Sequence, residues 1–308
     1  MPILVRALQQ RLQDAGSECY ADVPLKNYTT FRIGGSCRLM VVPHNTQELQ
    51  QAVCILHQSG MASFILGNGS NLLVSDQGYD GAVIYTAAHL KQMRLQDGSS
   101  IVCQSGAMLS SLCRFAQRHG LTGLEFAYGI PGTVGGAVMM NAGAYGGQMQ
   151  EIVEQTTHLT SAGEWGIFSK EQLDFAYRHS AYQNSGDCIV EVTVRLRPGD
   201  PAQIQQTMEE LMQRRKRKQP LEFPSAGSTF KRPDGAYAAA LIDQCGLKGV
   251  RIGDAQVSQK HAGFIINRGH ATSADVQQLI KQVRQTVFKQ TGFDLECEVL
   301  QIGKQESL

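Results

Sequence analysis

Two glycine clusters constrain this chain most. The first is Gly67-Asn68-Gly69-Ser70-Asn71; the second lies in residues 129–147 and holds Gly129, Gly132, Gly135, Gly136, Gly143, Gly146 and Gly147. Gly and Asn tolerate positive φ, so successive backbone N–H groups can turn inward and form an anion nest. Ser70 and Asn71 add side-chain donors, Gly129 to Gly136 offer a second nest, and Ser105-Gly106-Ala107 before a helical stretch offers a third group of donors. Such nests suit a pyrophosphate; tight turns alone are the competing explanation. The first cluster begins like a dinucleotide fingerprint and then departs from it. The position five after Gly67 is Leu72, and a strand-like run follows instead of a helix. GxxxxGK[ST] is also absent, and together these argue against both a Rossmann unit and a P-loop.

Charge and chain ends narrow the classes further. The 308 residues carry 28 Lys and Arg against 27 Asp and Glu, a balance unlike that of a dedicated nucleic-acid binder. No apolar run approaches the ~20 residues of a membrane span. Met1 to Asp14 places Ile3, Leu4, Ala7, Leu8 and Leu12 at helical spacing among Arg and Gln, which predicts an amphipathic helix and not a secretion signal. The expected location is cytoplasmic. The eight cysteines are scattered, without a CxxC, and the histidines form neither HxxxH nor HExxH. The spacing therefore suggests no metal site, and buried free thiols in a reducing compartment are expected.

Helices are predicted over Asn45 to Gly60, with Asn45 as cap and Leu49, Ala52, Val53 and Leu56 on one face, and over Met108 to His119. Ala62 to Leu66, Leu72 to Val74, Ile189 to Leu196 and Leu295 to Ile302 read as strands. Ile204, Met208, Leu211 and Met212 mark a helix leading into the basic run Arg214 to Lys218, with Pro220 and Pro224 after it. Thr272 and Asp275 resemble a capping box ahead of a helix lined by Val276, Leu279, Ile280, Val283 and Val287 and ended by Gly292. Strands and helices intermix, so the class is α+β or α/β.

Several segments in order carry a resemblance: 27–35 (NYTTFRIGG), 66–76 (LGNGSNLLVSD), 123–147 (GLEFAYGIPGTVGGAVMMNAGAYGG), 177–180 (YRHS), 225–230 (SAGSTF), 241–254 (LIDQCGLKGVRIGD), and Glu298-Val299 with Ile302-Gly303. Over nearly the whole chain the sequence resembles the UDP-N-acetylenolpyruvoylglucosamine reductase (UDP-N-acetylmuramate dehydrogenase) family of bacterial peptidoglycan synthesis. The resemblance implies an α+β fold with an FAD-binding domain of the vanillyl-alcohol-oxidase (PCMH) type and a C-terminal α+β substrate domain. It implies an N-terminal helix in 1–26, the FAD domain in 27–200 (subdomains about 27–88 and 89–200), a connecting helix in 201–218 and the substrate domain in 219–308. It implies non-covalent FAD, NADPH as co-substrate and a UDP-sugar substrate, with no nucleic acid, membrane or obligatory oligomer.

By the same resemblance, Gly67, Asn68, Gly69, Ser70, Asn71 and Leu72, with Gly132, Thr133, Gly135 and Gly136, hold the FAD pyrophosphate, and Ser105 and Gly106 lie near it. The family reduces an enolpyruvyl ether: hydride reaches the terminal carbon, an enolate develops into the carboxylate, and a proton must be delivered. Arg178 matches the catalytic arginine, whose guanidinium fork can hold that charge. Ser228 matches the proton donor, and Glu298 the catalytic glutamate; on a strand, Glu296 and Glu298 share a face. The lack of G-x-S-x-G argues against a hydrolase nucleophile. Tyr128, Lys231, Lys248 and His261 occupy substrate positions, while Arg214 to Lys218 is either a cationic helix end or an attractor for the UDP diphosphate. Lys231-Arg232-Pro233 departs from the family's Lys-Asn-Pro, and the chain lacks the substrate-closing loop of the longer family form. Two alternatives stand beside this one: an FAD oxidase of the same fold acting on a small alcohol or sugar, and a non-catalytic nucleotide-sugar binder.

Overall fold

The computed structural model describes residues 3–183 and 185–304. In chain order it contains α1 (Ile3–Asp14), β1 (Glu18–Pro24), β2 (Ser36–Val42), α2 (Thr46–Ser59), β3 (Ser63–Leu66), β4 (Leu72–Val74), β5 (Tyr79–Tyr85), β6 (Met93–Leu95), β7 (Ser100–Gln104), α3 (Leu109–Arg118), β8 (Leu121–Thr122), α4 (Val134–Met139), β9 (Gly143–Ala144) and β10 (Gly147–Gln148). It continues with β11 (Val153–Leu159), β12 (Trp165–Ser169), β13 (Cys188–Arg195), β14 (Arg197–Pro198), α5 (Pro201–Lys218), α6 (Ala238–Gln244), β15 (Arg251–Ile252), β16 (Ala255–Val257), β17 (Ile265–Asn267), α7 (Ser273–Thr291) and β18 (Leu300–Ile302). The amphipathic helix expected from Met1 runs from Ile3; Met1 and Pro2 lie outside the described residues.

Helix ends follow their caps. The Asn45 side chain accepts from Glu48 N at the start of α2, and Gly60 stops it at φ 67°, a left-handed conformation that costs glycine little. At α7 the Thr272–Asp275 capping box is complete and Gly292 closes the helix at φ 78°. Each N-cap contributes about 1 kcal/mol.

Compactness divides the chain into two units that interleave in sequence. The first takes in the chain up to Ala21, Arg38–Asn68 and Gly81–Arg215; the second takes in Asp22–Cys37, Gly69–Asp80 and the chain from Lys216. In the first unit, one sheet has the order β1-β2-β5-β3, with β3 parallel to β5. Another is the antiparallel β12-β11-β13-β7-β6. Leu12, Leu39, Leu49, Leu56 and Ile84 form one core, and Ile101, Leu109, Leu112, Val134, Val192 and Val194 a second. Each such side chain gives roughly 1.5–3 kcal/mol on burial.

In the second unit, the meander β15-β16-β17 shares a core with α6 and α7 through Leu241, Val257, Val276, Leu279 and Val283, joined by Phe31 and Phe230. Near its C-terminal end the chain returns to its first third: β18 runs parallel to β4, with Leu300 opposite Leu72 and Ile302 opposite Val74. The strand expected over Leu295–Ile302 is therefore a correction, since only Leu300–Ile302 joins β4. Residues 296–298 bond instead to the segment 229–231, through Lys231 N to Glu296 O (2.8 Å) and Glu298 N to Thr229 O (2.8 Å). One stretch serves two partners, and the change of partner ends the strand.

All eight cysteines are free thiols. Burial pushes Cys19, Cys103 and Cys188 up to about 12, so they stay protonated and unreactive. Among the described residues no helix is long and apolar enough to cross a membrane.

Candidate active site

In the first unit the glycine loops converge as their small residues require. Gly67 follows β3, and a Cβ placed on it would stand 2.3 Å from Thr133 Oγ1. Asn68 Nδ2 donates to Pro131 O at 2.6 Å, tying the same two loops. Gly135 lies against Ser105, where an added Cβ would meet Ser105 Cβ at 2.7 Å, and its N–H donates to Ser105 O at 2.8 Å. Gly106 is pressed on Thr86, whose carbonyl oxygen an added Cβ would approach to 2.2 Å. Val134 N to Ala107 O (2.8 Å) and Leu109 N to Gly132 O (3.0 Å) complete the lacing. Thr133 caps α4, its hydroxyl accepting from Gly136 N. Of the residues expected to hold a pyrophosphate, Gly67, Asn68, Ser105, Gly106, Gly132, Thr133, Gly135 and Gly136 are thus brought together.

The set fits a dinucleotide diphosphate. Ser105 Oγ is buried with no hydrogen-bond partner. A buried hydroxyl left so costs ~1–3 kcal/mol, and a bound acceptor would satisfy it. Gly135 N, Val134 N, Gly136 N and Asn68 Nδ2 already donate to protein acceptors, so Ser105 Oγ is the donor among these groups that a phosphate oxygen would engage.

Arg178 also belongs to this unit, and its backbone is strained. Its φ is 54°, in the left-handed region that a residue with a long side chain rarely enters. The strain is held by its neighbours. Gln183 Nε2 donates to Arg178 O at 2.6 Å, Ala176 and His179 bridge across it, and the buried Ser180 donates to Met139 O at 2.8 Å. Arg178 Nη2 reaches Gly143 O at 3.4 Å, and its guanidinium lies 5.0 Å from the Tyr177 ring centroid. Strain braced in this manner is a mark of functional sites. Asn141, fully buried, binds the second glycine region to this turn: its amide donates to Gln150 Oε1 (3.0 Å) and Ala176 O (2.8 Å) and accepts from Gln150 N (3.0 Å). Sequence reasoning assigned no role to Asn141, Ser180 or Gln183, although the first two lie in the segments 123–147 and 177–180 that carry the resemblance.

Tyr128 accepts from Arg114 Nη2 at 3.1 Å. In the basic run, Arg214 lies over the Tyr145 ring at 5.2 Å. Arg215 is buried against Gly129, with its Nε unpartnered, and burial lowers its pKa.

In the second unit, Gly69, Ser70, Asn71 and Leu72 lead into β4. Gly69 (φ 59°) has no space for a side chain, since an added Cβ would lie 2.3 Å from Tyr28 O. Thr30 N donates to Gly69 O, and Thr30 Oγ1 to Ser225 O at 2.7 Å. Ser228 follows Gly227 (φ 81°); its hydroxyl makes a 3.2 Å bond to Phe230 O and is half-buried. The Ser228 and Glu298 segments are direct neighbours, joined by Glu298 N to Thr229 O and the Phe230–Cys297 bridge. Asn71 Nδ2 donates to Glu298 O at 3.1 Å, so the glycine loop reaches the same place.

The expected substrate residues of this unit are engaged with protein groups. Lys231 pairs with Glu296, whose carboxylate is thereby committed, and Lys248 pairs with Asp243 at 2.6 Å. His261 is half-buried, accepts from Gly263 N at 3.2 Å, and is held below the usual imidazole range, chiefly by burial. Arg232, the departure from the family pattern, places its guanidinium 4.0 Å from the Tyr237 ring centroid.

A family model described as the C-terminal domain of UDP-N-acetylenolpyruvoylglucosamine reductase matches residues 219–302, and one described as an FAD binding domain matches 37–168. The UDP-N-acetylenolpyruvoylglucosamine reductase of Caldanaerobacter subterraneus subsp. tengcongensis is 44% identical over 302 residues, 98% of this chain and 99% of its own. The crystal structure of the corresponding reductase from Thermus caldophilus superposes with a TM-score of 0.79 at 35% identity, covering 93% of this chain and 98% of that one. The glucose dehydrogenase Phl p 4.0202 shares a fold over part of the chain, with a TM-score of 0.50 at 16% identity over 63% of this chain and 44% of its own. The glycine lacing, the FAD-binding model and full-length similarity agree: this chain belongs to the UDP-N-acetylenolpyruvoylglucosamine reductase family of FAD-containing oxidoreductases.

Proposed function

We propose that the chain reduces UDP-N-acetylglucosamine enolpyruvate to UDP-N-acetylmuramate with NADPH, a step of peptidoglycan precursor synthesis. One observation carries the assignment to this chemistry: the Ser228 and Glu298 segments are hydrogen-bonded neighbours, although they lie far apart in sequence. When bound, FAD supplies the two-electron relay between the nicotinamide and the enolpyruvyl group. Gly67 to Leu72, Ser105, Gly106 and Gly132 to Gly136 hold its diphosphate without a covalent bond. The Arg178 guanidinium, pre-set by its braced backbone, holds the negative charge that spreads into the substrate carboxylate. Ser228 delivers the proton to the neighbouring carbon; its long bond to Phe230 O leaves the hydroxyl free to turn. Glu298 assists that transfer. Tyr128, Lys231, Lys248 and His261 contact the UDP-sugar, with Lys231 and Lys248 exchanging their carboxylate partners for phosphate.

The domains follow the same reading: FAD domain in 27–200, connecting helix in 201–218, substrate domain in 219–308. The protein works in the cytoplasm, without nucleic acid or a membrane, and needs no oligomer. The reductase C-terminal match at 219–302 favours this over an oxidase or a non-catalytic binder. Anaerobic addition of NADPH to the purified protein should bleach the yellow colour. UDP-N-acetylglucosamine enolpyruvate should then restore it, with one UDP-N-acetylmuramate formed per flavin. Colour that does not return, or returns without that product, overturns the assignment.

A further inference from the structure

Three side chains far apart in sequence meet where neighbouring strands of one sheet begin and end. Glu18 opens β1, His44 follows β2 and His89 follows β5, and the sheet order is β1-β2-β5-β3. Glu18 Oε1 lies 2.9 Å from His44 Nε2 and 3.6 Å from His89 Nε2, and the three atoms all fall within 4.8 Å of one another. Two donors bound tetrahedrally to one zinc ion at ~2.0–2.1 Å stand about 3.3 Å apart. The observed pair of distances brackets that value.

The surroundings aim these atoms. His44 Nδ1 meets Glu48 Oε2 at 2.9 Å, which turns Nε2 toward the cluster. A carboxylate on the far ring nitrogen is the usual support of a metal-binding imidazole. Glu48 is itself fixed, accepting from His44 N and Asn45 Nδ2 at 2.8 Å each. Tyr20 donates its hydroxyl to Glu18 Oε2 at 2.5 Å, leaving Oε1 for the histidines. The two imidazole rings stand 4.7 Å apart, tilted by 35°. Glu18, His44 and His89 are each about 40% exposed, so an ion can enter and keep a water.

We propose that Glu18 Oε1, His44 Nε2 and His89 Nε2 form a binding site for a divalent transition metal of the zinc class, with Glu48 as the positioning residue for His44. Imidazole with a single carboxylate favours zinc, nickel or copper over magnesium or calcium. The ion clips together the ends of three strands. CxxC, HxxxH and HExxH spacing cannot reveal it, because the sheet and not a local motif assembles the ligands.

Zinc titration of the FAD-loaded full chain tests this, by calorimetry and by the melting temperature with zinc or magnesium. Wild type should bind one zinc and melt higher with it, and magnesium should do neither. His89→Gln removes an exposed ligand and should lose the zinc-dependent rise. Glu48→Gln should weaken binding about 10- to 100-fold. Glu18→Gln repeats the ligand test should His89→Gln lose FAD. Absence of zinc binding, equal binding by the ligand variants (which would place the ion elsewhere, as at Cys54, Cys245 or Cys297), or equal response to magnesium overturns the site.

Discussion

Gly67→Ala isolates the steric demand of the flavin cradle. Gly67 does not lie in the left-handed region, so alanine suffers no backbone penalty there and only the new methyl matters. That methyl would stand 2.3 Å from Thr133 Oγ1, with Thr133 Cγ2 at 3.2 Å and Cβ at 3.3 Å. Thr133 cannot simply rotate away, because its hydroxyl caps α4. Overpacking of this kind costs about 1–3 kcal/mol. If the cost falls on the flavin-binding arrangement of the loops, FAD affinity drops about 5- to 150-fold. FAD retained through gel filtration, and the dissociation constant from flavin fluorescence, measure it. Thr133→Ala removes Oγ1 and Cγ2 and leaves only Cβ at 3.3 Å, so the double variant should regain most of the affinity and lose about 1 kcal/mol of stability with the cap. Wild-type affinity in Gly67→Ala, or a double variant no better than the single, would refute the reasoning.

Arg178→Lys should leave bleaching by NADPH intact and slow the return of colour with the enolpyruvyl substrate at least tenfold, since an ammonium cannot reproduce a planar fork; stopped-flow absorbance reads both. Asn141→Ala removes the three hydrogen bonds of a fully buried amide, and urea unfolding should show a loss of about 1–3 kcal/mol with slower reoxidation. Burial holds the His158 pKa below its usual range, so the unfolded chain binds the extra proton first. Its stabilising share is full above the unfolded value of about 6.5 and is lost as pH falls through the folded one. Urea midpoints for His158→Gln should therefore decline less steeply with acid than wild type; an unchanged slope would contradict this.

The features legible in the sequence are local ones. Asn45, Gly60, Thr272, Asp275 and Gly292 each act within a few residues of themselves, and each caps its helix as read. The glycine loops were legible as places of close approach, which Gly67, Gly106 and Gly135 show. Pairing over long separation was not. Nothing near Leu72–Val74 announces Leu300–Ile302 as its partner, nor does Glu296-Cys297-Glu298 announce the segment 229–231. The left-handed backbone of Arg178 was equally hidden, because its cause lies in Gln183, Ser180 and the Ala176–His179 bridge rather than in residue type. The Glu18–His44–His89 cluster escaped for the same reason: one strand and the segments that follow two others supply one residue each.

The two half-reactions of Ser228→Ala, followed anaerobically in one stopped-flow experiment, test the proposed chemistry most directly. NADPH should bleach the variant at the wild-type rate, and UDP-N-acetylglucosamine enolpyruvate should restore the colour about 10²- to 10⁴-fold more slowly. Equal slowing of both phases, or a reoxidation rate unchanged from wild type, would contradict the assignment of the proton to Ser228.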